Sequence, residues 1–135
     1  MRKITVLLLA GLFLTGCGNA ALRDGVYEGR SGADDAGAWA EVSITIAQGQ
    51  IQACEFITRQ KDGTIKGEDY GKINGEISNR DYYDKAQLAV AAMKKYNDEY
   101  LKAGNLDDVE AVSGATNSYN QFLEAVDEAL EAARK

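Results

Sequence analysis

The sequence predicts an α+β domain, a small antiparallel sheet packed against two longer C-terminal helices. Two patterns carry this expectation. Apolar residues alternate through Ala40-Glu41-Val42-Ser43-Ile44-Thr45-Ile46, the period of a half-buried strand. From about Ser78 they recur instead at three- and four-residue steps, the period of a helix. Strands come first and helices afterwards, which is the order of an α+β chain rather than an alternating one.

The N-terminus reads as an address. Met1-Arg2-Lys3 precedes an apolar run from Ile4 to Leu14, broken by Thr5 and Gly11. A bilayer-spanning helix needs about 20 apolar residues, so this run has instead the length and basic head of a secretory signal. Leu14-Thr15-Gly16-Cys17 resembles the bacterial lipobox, whose cysteine is lipidated and becomes the first residue after cleavage. Residues 1–16 are accordingly read as a lipoprotein signal peptide, 17–23 as lipidated Cys17 and a short tether, and 24–135 as the domain. The alternative is an ordinary signal peptide with a chance cysteine. The expected location is the outer face of a bacterial membrane, reached by export and held by lipid.

Removing residues 1–16 takes away Arg2 and Lys3 but no acid, which moves the net charge from −6 to −8. Such a body repels phosphate backbones and anionic headgroups, so nucleic acid is excluded as a partner and the membrane link falls to the lipid. The chain has no histidine, and Cys54 is the thiol left once Cys17 is acylated. This excludes an intramolecular disulfide, the usual zinc sites, and the Cys-His and Ser-His-Asp catalytic arrangements. No catalytic residue and no metal ligand is assigned. Any redox chemistry must come from a bound group.

The elements follow in order. Asp24-Gly25-Val26-Tyr27 reads as a turn leading into a short strand, and 31–37, rich in Gly, Asp and Ala, as loop. After the strand at 40–46 a turn at 47–50 leads into a second strand, Ile51 to Thr58. There Cys54 and Phe56 share one face while Ile51 falls on the other, so a bulge near Gln52 or Ala53 is expected. Lys61-Asp62-Gly63-Thr64 is another turn, and 65–77 reads as mostly irregular. The first helix, about 78–103, carries a stripe of Tyr82, Ala86, Ala89, Val90, Met93, Tyr96 and Tyr100, read as core packing, and Gly104 suits its C-terminal cap. The last helix, about 118–134, turns Tyr119, Phe122, Val126, Leu130 and Ala133 inward.

Between the helices stands Val112-Ser113-Gly114-Ala115-Thr116-Asn117-Ser118. The first amides of a helix have no intrahelical acceptors, and with small residues alongside they make a cradle for a phosphate. Thr116 adds a nucleophilic hydroxyl at the helix mouth. The same residues also fit an ordinary helix start: Thr116 or Ser118 would serve as N-cap, and Ser118-x-x-Gln121 has the form of a capping box.

With Phe122-Leu123-Glu124-Ala125-Val126 after it, this stretch resembles the FMN-binding domain family, which includes the flavinylated subunits of the Rnf and sodium-pumping quinone reductase complexes. Asp24-Gly25-Val26-Tyr27, the strand pair around Gly49-Gln50-Ile51, Trp39, Asp62-Gly63, Lys66, Asp69 and Tyr70 extend the likeness over nearly all of 24–135. The chain is most similar to the family's small lipoproteins known as major membrane immunogens. The resemblance implies FMN as cofactor, a phosphoester on Thr116 made by a magnesium-dependent flavin transferase, and Ser113, Gly114, Ala115, Asn117 and Ser118 as its surroundings. It implies an electron carrier more than a turnover enzyme, with donor and acceptor proteins as partners. The sequence departs from the motif at Glu110, where the family usually has aspartate, and at Asn117 and Ser118, where threonine or serine often fills both positions. Two other readings stand beside it: a module holding FMN or another small ligand noncovalently, and a surface lipoprotein without cofactor. Trp39, Tyr70 and Tyr119 are the aromatic residues considered for the flavin ring, and Cys54 is expected to be buried and inert.

Overall fold

A computed structural model describes residues 21–135, so the signal segment and Cys17 lie outside the described residues. Its elements are β1 (Gly25–Arg30), β2 (Trp39–Ala47), β3 (Gln50–Arg59), α1 (Arg80–Ala103), a single 3-10 turn at Leu106–Asp108, and α2 (Thr116–Arg134). The strands form one antiparallel sheet in the order β1-β2-β3. This is the expected α+β arrangement.

The alternation in β2 does what its period requires: Ala40, Val42, Ile44 and Ile46 are all buried on one face. Gln48 and Gly49 both take positive φ, 56° and 72°, as the two central residues of a tight hairpin do when the turn follows strand twist. The bulge also appears. Thr45 pairs with Ala53 but Ile46 pairs with Ile51, so Gln52 is the extra residue, and Ile51 packs against the core that Cys54 faces. Burial pushes the Cys54 thiol up to about 12, which leaves it protonated and inert at neutral pH.

Both helices cover the same sheet face. At its centre Phe122 is fully buried, with the rings of Phe56, Tyr100 and Tyr96 at 4.9, 5.8 and 6.2 Å. Asn79 caps α1 by accepting from the Tyr82 amide at 3.0 Å, and Gly104, at φ 69°, closes its other end. Tyr82 departs from the expected core stripe. It sits in the first turn of α1 and is 53% exposed. The stretch 65–77 is irregular apart from isolated bridges, Arg59 with Ile65 and Ile73 with Glu76.

Helix α2 runs along β1. Glu128 and Glu124, one turn apart, accept from the backbone amides of Arg30 and Gly32, the latter at 3.1 Å, and so cover the strand's free edge. The Arg23 amide donates to the Ala133 carbonyl at 3.0 Å, fastening the start of the described chain to the C-terminal end of α2. Gly29 permits this approach: a Cβ there would lie 1.9 Å from the Ala125 oxygen and 2.7 Å from the Ala129 nitrogen. Among the described residues no helix is long and apolar enough to cross a membrane.

Because both atoms facing Gly29 are backbone, a side-chain shift does not relieve them. Gly29→Ala is expected to cost about 3 kcal/mol or more, as strong overpacking does. Urea unfolding of the two proteins checks this, and equal midpoints would contradict the contact.

Candidate functional site

The segment between the helices is held from α1. The buried Tyr96 hydroxyl accepts from the Val112 amide at 2.9 Å and donates to the Ala115 carbonyl at 3.1 Å. Tyr119 adds a bond from its hydroxyl to the Val109 carbonyl at 3.0 Å. Between those anchors Val112 to Ala115 forms a four-residue turn, closed by the Ala115 amide on the Val112 carbonyl at 3.0 Å. Gly114 occupies its third position at φ +85°, the conformation that a type II turn demands there. The glycine is therefore required by the backbone itself. A Cβ on it would point at Leu88 Cδ2, 3.2 Å away on an exposed and yielding side chain.

Helix α2 begins at Thr116, two residues before the sequence pattern suggests, with Ala115 as N-cap and no side-chain cap bond. Neither cap reading holds. Thr116 is already the first helical residue, and Ser118 is buried in the first turn. Gln121 is turned away to donate to the Ala38 carbonyl at 2.8 Å. The first main-chain bond of the helix is from the Tyr119 amide to the Ala115 carbonyl, which leaves the amides of Thr116, Asn117 and Ser118 without helical partners. A capping residue would have supplied an oxygen here. Its absence leaves a partly positive helix end open to a ligand.

That end opens into a cleft of about 540 Å³, within the range of small-molecule sites. Gly114, Ala115, Thr116, Asn117 and Ser118 form one wall. Ala86 and Ala89 of α1 keep the floor low, while Tyr82 and Lys85 project from its first turns. Lys66 and Tyr70 come from the irregular segment, the Lys66 ammonium lying 4.7 Å from the Tyr70 ring centre. Asp34 closes the remaining side, its carboxylate accepting from the Ala36 and Ala38 amides at 2.9 Å each. Two ammonium groups and three helix-end amides suit a phosphate, and two tyrosines suit a flat aromatic ring. The residues present fit FMN.

Gly114 to Ser118 all line the cleft, with Thr116 exposed at the helix mouth. Ser113 sits on the outside of the turn, exposed and not in the lining. Glu110 is exposed as well, its amide 3.4 Å from a Glu99 carboxylate oxygen, and does not reach the cleft. Of the aromatic residues considered for a flavin ring, Tyr70 lines the cleft and the other two do not. Trp39 lies on the outer sheet face, 4.4 Å under the Arg30 guanidinium, and Tyr119 packs inward on Tyr96. Tyr82, Lys85 and Asp34 join the site unforeseen. A three- and four-residue period marks one side of a helix but does not tell a core from a cleft wall.

A second hollow, of about 670 Å³, lies between the sheet and the C-terminal half of α2. It is lined by Glu28, Glu41, Glu55, Glu128 and Glu131 against Arg30 and Lys135. Those five carboxylates oppose a phosphate. Among the described residues no group of His, Cys, Asp or Glu side chains is placed to hold a metal ion.

A family model described as the FMN-binding domain matches residues 36–131, which span both the irregular segment and the helix mouth. The chain belongs to the FMN-binding domain family. Its cofactor is FMN. Among solved structures, a Clostridium perfringens protein is similar over 83% of this chain and 88% of its own, with a TM-score of 0.64 and 22% identity. A Clostridium thermocellum protein solved by NMR in solution is similar over 84% of this chain and 94% of its own, with a TM-score of 0.51 and 20% identity. At these identities the likeness is one of fold. No curated protein matches the chain.

If the turn needs glycine for its φ, Gly114→Ala is expected to cost the apo protein about 1–2 kcal/mol, the strain of an L residue in the left-handed region. Chemical denaturation without flavin measures it. An unchanged midpoint would mean that the turn does not hold that conformation.

Proposed function

We propose that this protein is an exported, lipid-anchored carrier of FMN, which is joined as a phosphoester to Thr116 and used for electron transfer at the outer face of a bacterial membrane. The observation that supports it best is the placement of Thr116. Its residue opens α2 with no capping oxygen in competition, at the edge of a cleft that fits FMN.

FMN supplies the one- and two-electron chemistry when bound; the protein binds, orients and tunes it. The open amides of residues 116–118 would hold phosphate oxygens, and Lys66 or Lys85 would balance their charge. Tyr70 and Tyr82 would offer faces to the ring. Ala86 and Ala89 leave it room. The protein has no histidine and holds its one described thiol protonated, so it brings no redox or acid-base group of comparable reach. A carrier suits that inventory better than a turnover enzyme. A flavin transferase is the partner that would form the bond, and donor and acceptor proteins are those that would use it. Covalent attachment would keep the cofactor from diffusing away outside the cell.

The motif residue that departs from the family, Glu110, stands outside the cleft and is exposed. Its role in this reading is contact with the transferase rather than with the flavin.

Coexpression with a flavin transferase should add the mass of FMN to the protein, on the peptide containing Thr116. Thr116→Val should abolish the adduct, while Ser113→Ala should retain it. An adduct on another residue would overturn the attachment site. No adduct on a protein that still binds free FMN would leave the noncovalent carrier instead. The anchor has its own test. Cys17→Ser should move the protein from the membrane fraction to the soluble one or leave it uncleaved, and normal cleavage with unchanged membrane association would argue against lipidation.

A further inference from the structure

The cleft wall that carries Lys66 and Tyr70 belongs to neither the sheet nor a helix, yet it is fixed. Its backbone turns at Gly67 to Tyr70, where the Tyr70 amide meets the Gly67 carbonyl at 3.0 Å. Three carbonyls of this turn converge on one side-chain amide. Gln87 Nε2, on α1, lies within hydrogen-bond reach of the oxygens of Tyr70 at 2.9 Å, Gly67 at 3.1 Å and Glu68 at 3.3 Å, its two N–H groups shared among the three. Tyr83, one turn earlier, donates its hydroxyl to the Glu68 carbonyl at 3.2 Å. Gly71 lets the chain lie directly on the helix: at φ +96°, a Cβ there would be 2.7 Å from the Ala86 Cβ. Gln87 itself does not line the cleft, but its neighbours Ala86 and Ala89 do.

We propose that Gln87 is the positioning residue of the flavin site, locking the 67–70 turn onto α1 so that Tyr70 faces Thr116 across the cleft as a preformed wall for the flavin ring. The proposal rests on the cleft being the FMN site. Its physical basis is an asymmetry. Gly67, Glu68 and Tyr70 lie at the surface or partly so, and water can replace the Gln87 amide at their carbonyls at little cost to folding. Water cannot, however, hold all three in one geometry against the helix. Without the amide the turn keeps the Tyr83 bond at Glu68 and the Gly71 contact but loses its hold on the Gly67 and Tyr70 carbonyls. Ordering Tyr70 must then be done by the ligand at the expense of affinity. An irregular segment with few apolar contacts is where such a restraint matters most. Gln87 therefore acts on the flavin through Tyr70 and touches neither the cofactor nor its attachment point.

The test compares Gln87→Leu, Gln87→Glu and Gln87→Lys with the parent, using free FMN as probe and the flavin-loaded protein for spectroscopy. Leu removes the donors at similar volume. Glu turns a carboxylate toward three carbonyls, and Lys restores donors in a different shape. Binding of free FMN should weaken about tenfold for Leu and further for Glu, the equivalent of one or two lost hydrogen bonds. Flavin fluorescence, quenched by a stacked tyrosine, should rise for Leu and Glu, and the visible circular dichroism of the flavin should shrink. Lys should recover most of both signals. Apo unfolding midpoints should stay near that of the parent. Unchanged affinity, quenching and dichroism in Leu and Glu would overturn the proposal while leaving FMN binding intact. Losses that track a fall in the apo midpoint would also overturn it, showing a general structural role. A parent protein that neither binds nor is loaded with FMN would instead sink the assignment of the cleft, and this proposal with it.

Discussion

The Tyr96 hydroxyl is buried between two main-chain groups of one turn, and the rest of the site follows from that. It comes from the C-terminal half of α1, accepts from Val112 and donates to Ala115, so both of its hydrogen-bonding capacities are used away from water. A buried hydroxyl without partners costs several kcal/mol in the worst case, so the pairing is strongly favoured once the ring is inside. The ring is fixed in turn by Tyr119 at 5.5 Å and by Phe122 at 6.2 Å, both on α2. The core thus sets where the turn stands, and the turn sets where α2 may begin. A helix start held this way needs no capping side chain.

The consequence for chemistry is economy of groups. Where a capping serine or aspartate would have satisfied the first amides, the chain places alanine. In the proposed reading, the amides, the two cleft lysines and the two tyrosines would hold FMN without a histidine or a reactive thiol beside it. Charge is divided across the fold. Carboxylates crowd the hollow by the far half of α2 and two lysines stand in the cleft, so the acidic protein favours an anion in the cleft over that hollow.

Much of this was legible in the residues. Alternation in β2 identifies its buried face, the parity break between Ile51 and Cys54 places a bulge near Gln52 or Ala53, which the register fixes at Gln52, and small residues before Thr116 mark the helix mouth. What stayed hidden has a common physical cause. Periodicity reports which side of an element faces inward, but a cleft and a core both lie inward, so Tyr82, Ala86 and Ala89 read as packing, and Lys85 carries no signal. The cap at Ser118 is a sound local reading that tertiary contacts override, because α2 already begins at Thr116 and Gln121 donates to the Ala38 carbonyl just ahead of β2. Gln87 carried no signal at all. Its partners are carbonyls, which every residue has, and only the folded chain shows three of them meeting one amide.

The bond from Arg23 to Ala133 ties the start of the described chain to the last turn of α2, whereas the cleft opens at the first turn. Nineteen residues of helix separate the two ends, a span of about 28 Å. A tether of six residues or so reaches at most about 20 Å. If Cys17 is rooted in lipid and the cleft holds the flavin, the domain is leashed by one pole and carries its cofactor at the other. Such a geometry favours exchange of electrons with proteins that stand in the aqueous space beyond the membrane over carriers dissolved within the bilayer.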